Sequence, residues 1–130
     1  MLLSMPFKKY IFTNAREKEA CEALLHLGIR DCFEDTIYGA DFLGDMCKPQ
    51  KDAFGNVLDD IGVAPTNCVF FEDSVKNLLA GKALGMSTVL IQGFTSQEEG
   101  DIEEDMFDVV VSTLTDGGQE LRALYPSLFV

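Results

Sequence analysis

Residues 54–91 read FGNVLDDIGVAPTNCVFFEDSVKNLLAGKALGMSTVLI, and this stretch decides the fold. Phe54, Val57, Leu58 and Ile61 recur at i, i+3, i+4 and i+7, the spacing of one apolar helical face. Gly62 follows, and glycine tolerates the left-handed conformation that closes a helix. A short apolar run comes next, Val69-Phe70-Phe71, and a second helical run then ends in ALGM at 83–86. Ser87-Thr88-Val89-Leu90-Ile91 is another run of strand length. Both runs are continuous rather than alternating, which suits strands buried on two faces. Helix, glycine and strand in repetition predict a parallel sheet joined by helical crossovers.

The same unit extends outward in both directions. Ala20, Ala23, Leu24 and Leu27 have helical spacing and run into HLGI at 26–29. Tyr10-Ile11-Phe12, Thr36-Ile37-Tyr38 and Val109-Val110-Val111 are further strand candidates. The expected fold is α/β, a Rossmann-like open parallel sheet with flanking helices. Residues 95–105, TSQEEGDIEED, read as a solvated acidic connection. No linker divides the chain, so residues 1–130 form one expected domain.

Bulk composition narrows the function classes. The 130 residues carry 10 Lys+Arg against 22 Asp+Glu, a formal charge of −12, and 47% are hydrophobic. That apolar share supplies a core, which a disordered acidic tail lacks. The charge disfavours nucleic acid and an anionic membrane face, both of which need clustered cations. Cys21, Cys32, Cys47 and Cys68 form no Cys-x-x-Cys pair and accompany one histidine, so reduced structural thiols are expected. In the start, MLLSMPFKKYIF, the lysines follow the apolar stretch, whereas a signal peptide has them before it. A cytoplasmic protein is expected, a nuclear location being compatible and secretion not. His26 stands near a helix end, where it complements the dipole.

Ligands of open α/β sheets bind beyond the carboxyl ends of the strands. Three clusters fall there. Phe12-Thr13-Asn14-Ala15 runs from a strand toward a helix, with Asn14 a candidate N-cap and Thr13 a hydroxyl beside backbone amides. Cys47-Lys48-Pro49 places a cation at a helix start, with Pro49 suited to the first turn. Phe70-Phe71-Glu72-Asp73-Ser74 ends a strand in two carboxylates, with Ser74 able to cap the next helix. Clustered hard oxygen ligands suit Mg²⁺. Singly, each cluster has an ordinary structural explanation. Together they supply a hydroxyl, a cation and a metal-binding carboxylate pair, the parts of phosphoryl-transfer chemistry.

At these residues the sequence resembles the haloacid dehalogenase (HAD) superfamily of phosphatases, and within it the pyrimidine 5′-nucleotidase-like members. The motifs are YIFTNA with Thr13, GDMCKPQ with Lys48, and VFFEDSVKN with Glu72, Asp73 and Asn77. The resemblance covers nearly all of residues 6–112. It implies that Thr13 and Asn14 bind phosphate oxygens and that Lys48 neutralises the phosphate. It further implies that Asp73, assisted by Glu72, holds Mg²⁺, with Ser74 and Asn77 steadying that loop. The implied partner is a small phosphorylated molecule, a nucleotide monophosphate being favoured.

The family's first motif, DxDx[TV], supplies the nucleophile, and no Asp-x-Asp occurs in these 130 residues. By resemblance the chain is an N-terminally incomplete HAD-like core, without the central motif-I strand, the nucleophile or the cap. Two strand edges would then lie open, with self-association as a consequence. Those edges could pair directly, be filled by another segment or partner, or mark a truncated product. The expected function is a phosphatase-type hydrolase without turnover in the chain as it stands. The alternative is a non-catalytic module that binds Mg²⁺ and phosphate or another protein. A receiver-type signalling domain fits less well, because Thr and Lys precede the acidic pair.

Overall fold

The computed structural model of the chain describes residues 1–93 and 106–129. The acidic stretch 95–105 lies outside the described residues. Two compact units divide the chain, Leu2–Ile61 and Gly62–Val130, the latter together with Met1.

The first unit contains β1 (Ile11–Phe12), α1 (Glu17–Leu27), β2 (Ile37–Tyr38), α2 (Ala40–Leu43) and α3 (Lys51–Ile61). β1 and β2 pair in parallel, Ile11 opposite Ile37 and Phe12 opposite Tyr38. The Thr13 amide donates to the Tyr38 carbonyl at 2.9 Å and carries the ladder one residue further. Burial on α3 follows its apolar spacing, with Ala53, Phe54, Val57 and Leu58 inside. Phe54 meets the Phe12 ring edge-on, the centroids 5.1 Å apart. Tyr38, Leu43, Ala53 and Val57 make the core beside it.

α1 departs from its expected stripe. Its helical spacing is correct, yet Leu24 is its one buried residue and Leu27 is 67% exposed. α1 packs on short elements, the two-residue β2 and the turn Arg30–Cys32, which cannot cover its whole apolar stripe.

The second unit contains β3 (Val69–Glu72), α4 (Val75–Ala83), β4 (Ser87–Ile91), β5 (Val109–Val111) and α5 (Gln119–Leu124). Its sheet runs β3-β4-β5, all parallel. Thr88, Val89 and Leu90 are consecutive and fully buried, so β4 is covered on both faces, as its continuous apolar run predicts. α4 lies close on β3 because Gly81 has no side chain. A Cβ there would come within 2.8 Å of the Phe70 ring.

All three helix-closing glycines have left-handed backbone: Gly28 at φ 73°, Gly62 at 81° and Gly85 at 100°. Residues 1–7 build no strand, and Leu2–Ser4 is a single 3₁₀ turn.

Candidate functional site

The candidate residues fall into two groups, one in each unit, and each is built by its own local chemistry. In the first unit, β1 delivers Phe12, Thr13 and Asn14. The Thr13 hydroxyl oxygen accepts from the Ala15 amide at 3.1 Å, which turns the chain sharply after the strand. Asn14 is not the N-cap of α1. That position belongs to Arg16, whose side chain makes no cap bond. The Asn14 amide instead reaches Lys48: Oδ1 accepts from the Lys48 N–H at 2.8 Å and Nδ2 donates to the Lys48 carbonyl at 3.1 Å.

Lys48 is buried, 8% exposed. Its Nζ donates to the Phe12 carbonyl at 2.9 Å and lies 4.9 Å from the Phe12 ring centroid. A carbonyl dipole and an aromatic face both favour a cation, which offsets part of the cost of burying it. Pro49 is not in the first turn of α3, which begins at Lys51. Cys47–Gln50 is a tight turn closed by the Gln50 amide on the Cys47 carbonyl at 2.9 Å, with the Lys48–Pro49 peptide cis. Gln50 Oε1 accepts in return from the Cys47 amide at 2.8 Å. The trans Pro-at-helix-start pattern and this turn share the same local sequence, so the sequence could not separate them.

A residue outside the sequence-derived set also shapes this loop. Glu17, in the first turn of α1, accepts from the amides of Asp41 and Phe42 at 2.9 and 2.8 Å and so caps α2. Burial would raise its pKa, but these backbone donors outweigh it and hold the carboxyl below its ordinary value. Gly39 makes the approach possible, since a Cβ would lie 2.5 Å from the Ala15 carbonyl oxygen. The sequence signal was a Glu opening a helix with a Gly some twenty residues on, too common a pattern to single out.

In the second unit, β3 ends in Glu72 and the loop Asp73-Ser74 leads into α4. Ser74 is the N-cap expected of it, Oγ accepting from the Asn77 amide at 3.4 Å. Glu72 Oε1 accepts from the amides of Asp73 and Ser74 at 3.2 and 3.4 Å. Its Oε2 lies 3.5 Å from Asn77 Nδ2, the outer limit of a hydrogen bond. Glu72 thus braces the loop, Asn77 supports Glu72, and Asp73 is exposed. Two adjacent carboxylates fit Mg²⁺, which takes one or two carboxylates and fills its octahedron with water and phosphate oxygens. They would supply only part of such a shell. No group of three or more His, Cys, Asp or Glu able to hold a metal exists among the described residues.

Residues 2–85 match the model of the haloacid dehalogenase-like hydrolases. The chain belongs to that family. Fructose-1-phosphate phosphatase of Escherichia coli is 42% identical over 74 residues, which cover 56% of this chain and 38% of that protein. Hexitol phosphatase B of Escherichia coli is 30% identical over 95 residues, 73% of this chain and 41% of that protein. A crystal structure of a HAD phosphatase from Thermococcus onnurineus superposes with a TM-score of 0.72 at 26% identity, over 99% of this chain and 55% of that one. The HAD-like, Rossmann-type fold expected from the sequence is the fold observed. The chain spans less than half the length of the two curated HAD relatives named.

Proposed function

We propose that the chain carries the phosphate- and cation-binding parts of a HAD-type phosphate-monoester hydrolase. The observation that carries this reading is Lys48: a buried cation held at both ends by the segment that also presents Thr13. Thr13 and Asn14, through hydroxyl and backbone amides, would bind phosphate oxygens, and Lys48 would neutralise their charge. Asp73 and Glu72 would hold Mg²⁺, with Ser74 and Asn77 bracing their loop. Bound there, the cation would supply positive charge toward an anionic ligand. The family match runs through residues of each unit.

The substrate class is a small phosphorylated molecule. Two relatives named for sugar and polyol phosphates support that class. The finer nucleotidase-like reading rests on Asn77 at its place in the Glu72-Asp73-Ser74-x-x-Asn77 motif. Free cysteines at all four positions support a reducing, cytoplasmic setting. No helix among the described residues is long and apolar enough to cross a membrane.

A second reading has its own observation, the lack of any Asp-x-Asp in the 130 residues. Without a covalent nucleophile these residues alone would bind phosphate and Mg²⁺ without turnover. Calorimetric titration with Mg²⁺ and with inorganic phosphate, beside an assay on p-nitrophenyl phosphate, tests both readings. Binding without hydrolysis is expected, with Mg²⁺ binding lost in Asp73→Asn. Mg²⁺-dependent hydrolysis lost in that variant would restore a complete active site within this chain. Silence in both titrations would sink the phosphate-site reading.

A further inference from the structure

Asn14 and Lys48 are 34 residues apart in sequence, yet one side-chain amide engages both polar groups of the Lys48 backbone. This is the pairing a neighbouring strand residue would make, supplied here by a side chain. At its other end the lysine is fixed again, Nζ on the Phe12 carbonyl and over the Phe12 ring. Thr13, between the two anchor residues, is itself pinned by its amide on the Tyr38 carbonyl. Two residues flanking Thr13 therefore hold the backbone and the tip of one long side chain.

We infer that Asn14 is a positioning residue for Lys48, acting through the lysine's backbone rather than by touching the phosphoryl group with its side chain. The inference rests on the reading of Lys48 as a phosphate ligand. A free lysine side chain has rotamer entropy that binding an anion would otherwise have to overcome. Fixing the backbone and the ammonium beforehand removes most of that cost and raises affinity without a new contact. The α1 cap, the competing task for Asn14, is already excluded by Arg16 at that position.

The test uses the full chain, inorganic phosphate as probe, and three observables: phosphate affinity, hydrogen exchange at the Lys48 amide, and the Lys48 ¹⁵Nζ resonance. Asn14→Ala should weaken phosphate about tenfold, the loss expected from two neutral hydrogen bonds acting indirectly. It should also speed exchange at Lys48 and shift its Nζ signal. In a Lys48→Met background, Asn14→Ala should cost nothing more. Asn14→Asp, which keeps the acceptor and loses the donor, should fall between and serves if the alanine variant does not fold. An affinity loss with the Lys48 signals unmoved would mean direct phosphate contact and overturn the inference. So would unchanged affinity in a wild type that binds. If wild type binds no phosphate, the functional reading fails by itself. The two Lys48 signals then judge the positioning role alone, movement supporting it and constancy refuting it.

Discussion

Tyr38 donates its phenolic proton to Asp60 Oδ2 at 2.7 Å, tying β2 to the last turn of α3. Burial first, and then the Asp60 carboxylate, push its pKa up to about 12 from 10.0. A raised pKa favours the neutral form in the folded state. This contribution is therefore complete below pH 10 and is lost as pH climbs toward about 12. Urea unfolding across that window should show wild type losing stability while Tyr38→Phe loses less. At neutral pH that variant should be about 1.5 kcal/mol weaker, the low end for one lost hydrogen bond to a charged group. A parallel loss in both proteins would show that Tyr38 is not the group that titrates. Neither this pair nor the Asn14–Lys48 clamp was legible in the sequence. Tyr38 and Asp60 are 22 residues apart and Asn14 and Lys48 34 apart, whereas capping rules look three or four residues ahead. The positions of Thr13 and of the Glu72-Asp73 pair at strand ends were legible, whereas Lys48 lies in a turn ahead of α3 rather than at its start. Their hydrogen-bond partners were not legible.

At the scale of elements, two caps and one close approach separate what sequence could and could not provide. Ser74 is a local cap, readable from its place before α4, and Ser74→Ala should cost about 0.5–1 kcal/mol, the low range suiting a 3.4 Å bond. Glu17 is a remote cap, invisible until α1 and α2 meet. Its lowered pKa makes its contribution complete above the ordinary carboxyl value of 4.5 and lost as pH falls through the folded value. Glu17→Gln should cost about 1 kcal/mol at neutral pH and flatten the acid limb of the stability curve. An unchanged acid limb would remove the carboxylate from that role. Gly81 sets two effects against each other. Alanine gains about 1 kcal/mol of helix propensity, whereas a Cβ 2.8 Å from Phe70 brings an overpacking cost of about 1–3 kcal/mol. The net expectation is a loss of about 1 kcal/mol, and a stabilised Gly81→Ala would show that the Phe70 ring can move away. β4 and β5 matched their sequence-derived bounds because apolar runs bounded by glycine and polar residues leave no competing period. α1 was legible as a helix, but its burial depended on a short partner strand that periodicity does not report.

For the whole molecule, charge and apolar surface pull in opposite directions. At a formal −12, copies of the chain repel one another, and that repulsion acts over a Debye length of about 8 Å at physiological salt but about 3 Å at 1 M. Against it stand β3 and β5, which end the strand order among the described residues and where a second copy could extend a ladder. Leu25 and Leu27, 61% and 67% exposed on α1, offer a competing apolar contact. We expect self-association that strengthens with added salt, since screening removes the repulsion and leaves backbone pairing and apolar contact intact. Association through ion pairs would show the opposite slope. Sedimentation velocity over a range of protein and salt concentrations reads the sign directly. A single monomeric species under every condition would dismiss the proposal. Leu25→Lys with Leu27→Lys then locates the contact. Association that survives both substitutions belongs to the strand edges, and association that disappears belongs to the exposed leucines of α1.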